Sequence, residues 1–332
     1  MMAHEAEKPT VIETKGLTKR YGRLTAVDQL DLVVQQGAVF GFVGPNGAGK
    51  TTTMRILSTL LRPTAGEAWV AGHSVVAERR DVRRAVGYMP DFFGVYGDMK
   101  VWEYLDFFAA CYDIPADTRR RLADDLLELV DLAHRREDYV DALSRGMKQR
   151  LCLARALAHD PHVLILDEPA SGLDPRARVE IRELLRELRD MGKTIFVSSH
   201  ILSEIQEICT HIGIIEEGCL VAVGTMEEMR RRIQAQRVVN LGLIKQGAGE
   251  PAGRRTVEEA QVWLTGRPRV SDIEPVAANG EGDLQFTFAG DDQALAQLLS
   301  DVVRAGFPVV TFRERTGDLE DVFMRLTKGV VS

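Results

Sequence analysis

Nine consecutive residues, GPNGAGKTT from Gly44 to Thr52, restrict this chain more than any other stretch. They match the pattern GxxxxGK[ST] at every fixed position, and that pattern has mechanical content only between a strand and the start of a helix. Both flanks are present, since Ala38 to Val43 is apolar and Thr51 to Leu61 has the character of a helix. Gly44, Gly47 and Gly49 allow backbone conformations closed to other residues, so successive N–H groups can turn inward around an anion at a helix N-terminus. The spacing predicts a nucleotide site. In it Pro45, Asn46 and Ala48 complete the loop, Lys50 reaches the β- and γ-phosphates, Thr51 offers its hydroxyl to Mg²⁺ and Thr52 donates to the α-phosphate.

A chain of 332 residues can bury a full core and divide into two domains. No uninterrupted apolar stretch is long enough to span a bilayer, and the polar start MMAHEAEKPT lacks the basic and apolar regions of a secretion signal. The expectation is a cytoplasmic protein; if a membrane is involved, another polypeptide supplies the spans. The formal net charge of −7 argues against broad nucleic-acid binding. Cys111, Cys152, Cys209 and Cys219 show no CxxC or His-paired spacing, and are read as reduced thiols without an assigned function.

Along residues 10–43 apolar and polar positions alternate, with Val27, Leu30, Leu32 and Val34 as candidate core positions, which suits antiparallel strands. From Val82 to Asp131 the pattern is helical, carried by VWEYLDFFAACY and RRLADDLLELVDL. VLILD at 163–167 and TIFVSS at 194–199 are short continuous apolar runs, expected of strands buried on both faces. A helix, Pro175 to Met191, lies between them. The first domain is expected over 10–236, ending in the charged helix EEMRRRIQ, and the second over 237–332. That tail reads strand, helix, strand, strand, helix, strand over Val238–Ile244, Val257–Leu264, Val270–Val276, Leu284–Phe288, Ala294–Val303 and Val309–Arg313. This order suits a split βαβ, ferredoxin-like α+β domain. Trp263 is expected to pack inside it, and a helix from Leu319 to Leu326 to close the chain.

The loop alone permits a kinase, a GTPase or a motor; the order of the later motifs narrows it. LSRGMKQR at 143–150 is followed by LILDEP at 164–169, SGLDP at 171–175 and His200 after an apolar strand. Over residues 10 to about 225 the chain resembles the ATP-binding subunit of an ABC transporter. The tail, ending in LEDVFMRL, resembles the accessory domain of the exporter subfamily with ABC-2 type permeases, a group associated with drug resistance. The resemblance implies a P-loop α/β cassette with a RecA-like core, an antiparallel β subdomain and a helical subdomain. It also implies ATP and Mg²⁺ as ligands, a second cassette subunit, and an ABC-2 type permease that holds the chain to the inner face of the cell membrane.

Carried onto this sequence, Tyr21 in KRYG is the aromatic that stacks on adenine, the other reading being a ring packed in the core. Asp167 ends an apolar strand, where it holds Mg²⁺ directly or through water, and Glu168 is the general base or water-positioning group. His200 senses or polarises the γ-phosphate and the attacking water. Ser144 and Gly146 take the signature position that docks on the γ-phosphate of the opposite subunit, and Asp174 the loop that crosses the dimer interface. Two departures stand out. Arg145 and Met147 replace the usual glycine and glutamine, with Arg145 read as facing solvent or as adding phosphate attraction. Asp91 replaces the usual glutamine after Pro90, and its carboxylate, one methylene shorter, either binds the metal through water or misses it.

The aromatics Phe92, Phe93, Tyr96, Trp102, Tyr104, Phe107 and Phe108 allow two readings, core packing or a groove for a permease helix, with Trp102 and Tyr104 as surface anchors. Arg119–Arg121 and Arg230–Arg232 read as solvated helix faces, or as contacts to anionic lipid. The function expected is ATP hydrolysis coupled to export through a separate permease. The alternative is a regulatory or non-transport ABC ATPase with little or no hydrolysis.

Overall fold

The computed structural model describes residues 8–91, 94, 96–202, 206–229, 237–244, 256–275 and 283–315. Phe92, Phe93, Arg230–Arg232 and the closing helix at 319–326 lie outside them. The chain divides into two compact units, Met1–Met226 and Glu227–Ser332.

In the first unit β1 (Thr10–Tyr21) and β2 (Leu24–Gln35) pair antiparallel. Val27 and Leu30 are three apart, yet both are buried. A bulge accounts for this: Leu17 faces Leu30 while Lys19 faces Val27, and Gln29 takes a φ of 44°. β3 (Val39–Val43) is buried at every position and enters a second sheet. α1 (Lys50–Leu57) stops short of Leu61, because Thr59 adopts a left-handed φ of 62°. β4 (Ala65–Val70) and β5 (His73–Ser74) complete the antiparallel sheet in the order β2-β1-β4-β5.

α2 (Arg79–Ala85) leads into β6 (Val86–Met89), a strand inside the stretch whose periodicity reads as helical. Four residues are too few to show a period, and its partner β7 (Val163–Leu166) lies far along the chain. β8 (Thr194–Ser199), β9 (His211–Glu216) and β10 (Cys219–Thr225) finish the larger sheet, in the order β10-β9-β3-β8-β7-β6. All neighbours in it are parallel except β9 and β10.

Between β6 and β7 lie α3 (Val101–Cys111), α4 (Ala116–Leu129) and α5 (Arg145–Leu157), and α6 (Pro175–Asp190) follows β7. Tyr104 corrects an expectation here. It is 0 % exposed, its ring meets Phe108 edge-on at 4.9 Å, and its hydroxyl accepts from Arg155 Nη1 at 3.2 Å. Val101, Tyr104 and Leu105 share the buried face of α3 at helical spacing, so position on the helix decides against a surface role. Trp102 is half-buried under the Arg136 guanidinium, 5.2 Å from its ring.

The second unit runs β11 (Arg237–Leu243), α7 (Val257–Thr265), β12 (Val270–Pro275), β13 (Asp283–Phe288), α8 (Asp292–Arg304) and β14 (Val309–Arg315). The sheet order is β12-β13-β11-β14 with every neighbouring pair antiparallel, the split βαβ arrangement that the element order suggests. Thr256 and Glu259 form a capping box that starts α7. Leu241, Leu264, Phe286 and Val302 lie in its own core, where half-buried Trp263 meets Phe307 at 5.7 Å.

At the centre of the first unit Phe196 packs between Phe40, at 5.4 Å, and Phe42, at 5.3 Å. Truncating it leaves a void among residues that are themselves wholly buried. Phe196→Ala is expected to destabilise this unit by about 3–5 kcal/mol, measured as a fall in its urea unfolding midpoint.

Candidate active site

Parallel pairing sets the location of the site. Val43 lies opposite Ser199, and Leu166 opposite Val197, so β3, β8 and β7 all end at one edge of the sheet. The glycine loop, Asp167–Glu168 and His200 leave these three strands at that edge, and Asp91 follows β6, whose Met89 lies opposite Leu166. Such an edge is where ligands bind in open α/β sheets.

Two glycines of the loop leave no room for a side chain. A Cβ on Gly44 would stand 2.2 Å from the Ile215 carbonyl oxygen, and one on Gly49, where φ is 106°, 2.4 Å from the Ala26 carbonyl oxygen. Behind it the Gly218 N–H donates to Ala48 O at 3.0 Å, and the Asp28 N–H to Gly218 O at 2.9 Å. The turn between β9 and β10 thus fastens the loop to β2, a support that no local motif announces.

Lys50 begins α1 with its side chain 5 % exposed. Its Nζ donates to Gly44 O at 2.7 Å and Pro45 O at 3.1 Å, and lies 3.4 Å from Glu168 Oε1. Burial pushes its pKa down, against the opposing pull of Glu168, Asp167 and Asp91. Glu168 Oε2 is 2.8 Å from His200 Nδ1. An ionised carboxylate can only accept, so Nδ1 is the donor in that contact. Glu168 therefore joins the lysine to the histidine. Its φ of 50° is unusual for a residue with a side chain, and its N–H is held by Ser198 Oγ at 2.9 Å.

Asp167 is 1 % exposed. Ser198 Oγ donates to its Oδ1 at 2.8 Å, while Oδ2 is buried without a partner. Burial raises its pKa, the Ser198 and Thr51 hydroxyls oppose that, and the negative charges of Asp91 and Glu168 add to it.

A cavity of about 570 Å³ opens over these groups. Asn46, Gly47, Gly49, Lys50, Thr51 and Thr52 line it, together with Asp91, Glu168 and His200. Gly44 and Ala48 are buried and, like Pro45, are not part of its wall. Tyr21 is 46 % exposed and lines the cavity, which removes the reading of a core ring. Leu24, Ala26 and Ser171 also line it. Sequence reasoning missed all three, although Leu24 and Ala26 follow Tyr21 in the β1–β2 hairpin and Ser171 opens SGLDP.

Ser144, Gly146 and Asp174 do not line this cavity. Ser144 caps α5 by accepting from the Met147 N–H at 3.3 Å, and Asp174 caps α6 by accepting from the Ala177 N–H at 2.9 Å. Arg145 is exposed, but does more than face solvent: its Nη2 donates to Ser171 O at 3.2 Å.

Residues 27–171 match the family described as ABC transporter. The Nod factor export ATP-binding protein I of Ralstonia nicotianae is 37% identical over 318 residues, spanning 96% of this chain and 94% of that protein. The chain belongs to the ABC transporter ATP-binding proteins. The daunorubicin resistance ATP-binding protein DrrA3 of Streptomyces coeruleorubidus is 35% identical to this ABC ATPase over 318 residues, 96% of each. The bacitracin transport ATP-binding protein BcrA of Bacillus licheniformis is 42% identical over 224 residues, 67% of this chain and 72% of that one. Among solved structures, an ATP-binding subunit of an ABC transporter superposes with a TM-score of 0.61 at 29% identity, covering 68% of this chain and 94% of that chain. A dimeric ATP-binding cassette in a post-hydrolysis state, bound to ADP and Pi, gives 0.60 at 25% identity over 65% of this chain and 98% of that one.

In this ABC ATPase the raised pKa of Asp167 carries a stability cost. A carboxyl whose folded pKa lies above its unfolded value favours folding below the unfolded value, and that contribution is lost as pH rises through the folded one. Burial thus disfavours the ionised form of Asp167 in the folded state. Asp167→Asn, without nucleotide, is expected to be about 1–2 kcal/mol more stable than the parent, seen as a higher Tm at pH 7 whose advantage shrinks as the pH is lowered.

Proposed function

We propose that the chain is the motor subunit of an exporter: it hydrolyses Mg·ATP between two cassettes and drives a separate ABC-2 type permease from the inner face of the membrane. The observation that carries the hydrolytic reading is the Lys50–Glu168–His200 contact chain at the floor of a cavity lined by the glycine loop. Among the described residues no helix is long and apolar enough to cross a membrane, which suits a subunit that works with a separate permease. Export is favoured because the relatives that match nearly the whole chain are named for Nod factor export and daunorubicin resistance.

Lys50 balances charge on the β- and γ-phosphates, and the loop N–H groups at the start of α1 bind their oxygens. Tyr21, exposed in the lining of the same cavity, stacks on the base. Glu168 orients the attacking water and takes its proton, while His200, held through Nδ1, supports the γ-phosphate from the lining of the same cavity. The unpartnered buried Oδ2 of Asp167, with the Thr51 hydroxyl nearby, fits a hard divalent cation. Asp167 and Thr51 would hold Mg²⁺, which supplies Lewis-acid neutralisation of the phosphate oxygens. Asp91 lines the same cavity and adds a third carboxylate near that position. Ser144 and Gly146, outside the chain's own cavity, cover the nucleotide of a second cassette, with Asp174 at the same interface. The permease meets the helical region through exposed Tyr96 and Phe107, whose rings touch edge-on at 5.8 Å, and through half-buried Trp102.

Glu168→Gln is expected to bind ATP as the parent does and to hydrolyse it about 10²–10⁴ times more slowly; near-normal turnover would take the base away from this residue. Asp91→Gln should retain hydrolysis and change its Mg²⁺ dependence, so superimposable metal titration curves would remove Asp91 from the metal's surroundings.

A further inference from the structure

The first turns of α5 and α6 lie against each other with nothing between them. A Cβ on Gly146 would meet Ala177 Cβ at 3.4 Å and Leu173 Cδ2 at 3.7 Å. Across this seam lies Arg145. Besides its hydrogen bond to Ser171 O, its guanidinium carbon sits 2.5 Å from the place a Cβ on Gly172 would take. Gly172, with a φ of 67°, leaves a bare backbone surface on which the planar group rests.

The loop beneath Arg145 connects back to the chemistry. Ser171 lines the nucleotide cavity, and its N–H donates to Glu168 O at 3.0 Å. One set of contacts therefore runs from Glu168 through Ser171 to Arg145, the residue that follows Ser144 at the start of α5.

We propose that Arg145 is a positioning residue that ties the segment covering the partner's nucleotide to the loop walling the chain's own. Filling one cavity then sets the pose of Ser144 and Gly146 toward the other, and the two sites act cooperatively. The inference rests on the two-cassette reading given above.

The test uses the full chain, with steady-state ATPase measured against ATP concentration and binding followed with a fluorescent ATP analogue. Arg145 is exposed, so its replacement leaves the core untouched. Arg145→Ala is expected to lower kcat about three- to tenfold, the scale of the net contribution of one exposed hydrogen bond. The Hill coefficient should fall toward one while analogue affinity stays at the parent value. Arg145→Lys should not rescue either, because an ammonium lacks the planar fork. Gly172→Ala should reproduce the loss by displacing the guanidinium, and the double variant should be no worse than the poorer single one. Additive losses in the double variant would overturn the tether. So would a raised KM with unchanged kcat in Arg145→Ala, which would mean direct phosphate contact instead. Ser144→Arg separates the two readings: if it abolishes hydrolysis while Arg145→Ala changes nothing, only the tether fails, and if it leaves hydrolysis intact in a non-cooperative parent, the two-cassette reading fails with it.

Discussion

One buried ammonium among three carboxylates governs this molecule. Lys50 is enclosed at the floor of the cleft, with Glu168 in contact and Asp167 and Asp91 near enough to bias its titration. Carboxylates outnumber the cation even before a triphosphate enters. The N–H groups at the start of α1 offset part of that imbalance, but a triphosphate brings several charges into a region with little water. In the proposed function a divalent cation would offset that excess, and the buried Oδ2 of Asp167, without a hydrogen-bond partner, is a donor that fits one. The charge pattern and the proposed chemistry are thus two views of one constraint.

Keeping these groups in place falls to elements remote in sequence. Parallel registers bring the ends of β3, β7 and β8 together, and Ser198 holds both the Asp167 carboxylate and the Glu168 N–H. The loop is pinned from behind by Gly218. Movement of any of these strands shifts Lys50, Glu168 and His200 relative to one another, and near-attack geometry is lost within about an ångström.

What could be read from the sequence divides along physical lines. The glycine loop was legible because its conformational demand is written in residue type at fixed spacing, and VLILD and TIFVSS because two-sided burial leaves a continuous apolar run. The tail's element order was legible for a related reason, since its helices and strands switch period cleanly. Tyr104 was misjudged by weighing its chemistry ahead of its phase on α3. β6 escaped notice because four residues carry no period, and the seam under Arg145 because it joins positions 26 apart through backbone rather than through any motif. Leu24 and Ala26 show the same limit: apolar residues in a hairpin become a cavity wall only once the hairpin is folded over the loop.

The site also departs from what stability alone would select. Burial raises the pKa of Asp167 and lowers that of Lys50, and Glu168 holds a left-handed backbone. Each is unfavourable by itself, and strained φ of this kind costs on the order of 1–3 kcal/mol. They persist because the aromatic stack of Phe40, Phe42 and Phe196 and the continuous burial of β3 and β7 lie directly beneath, where apolar area is removed from water most completely. Local rules are broken where phosphate chemistry needs charge and reach, and the surrounding sheet absorbs the cost. That distribution, an overdetermined core carrying an unfavourable cleft, fits a protein whose cleft is completed by ligand rather than by its own side chains.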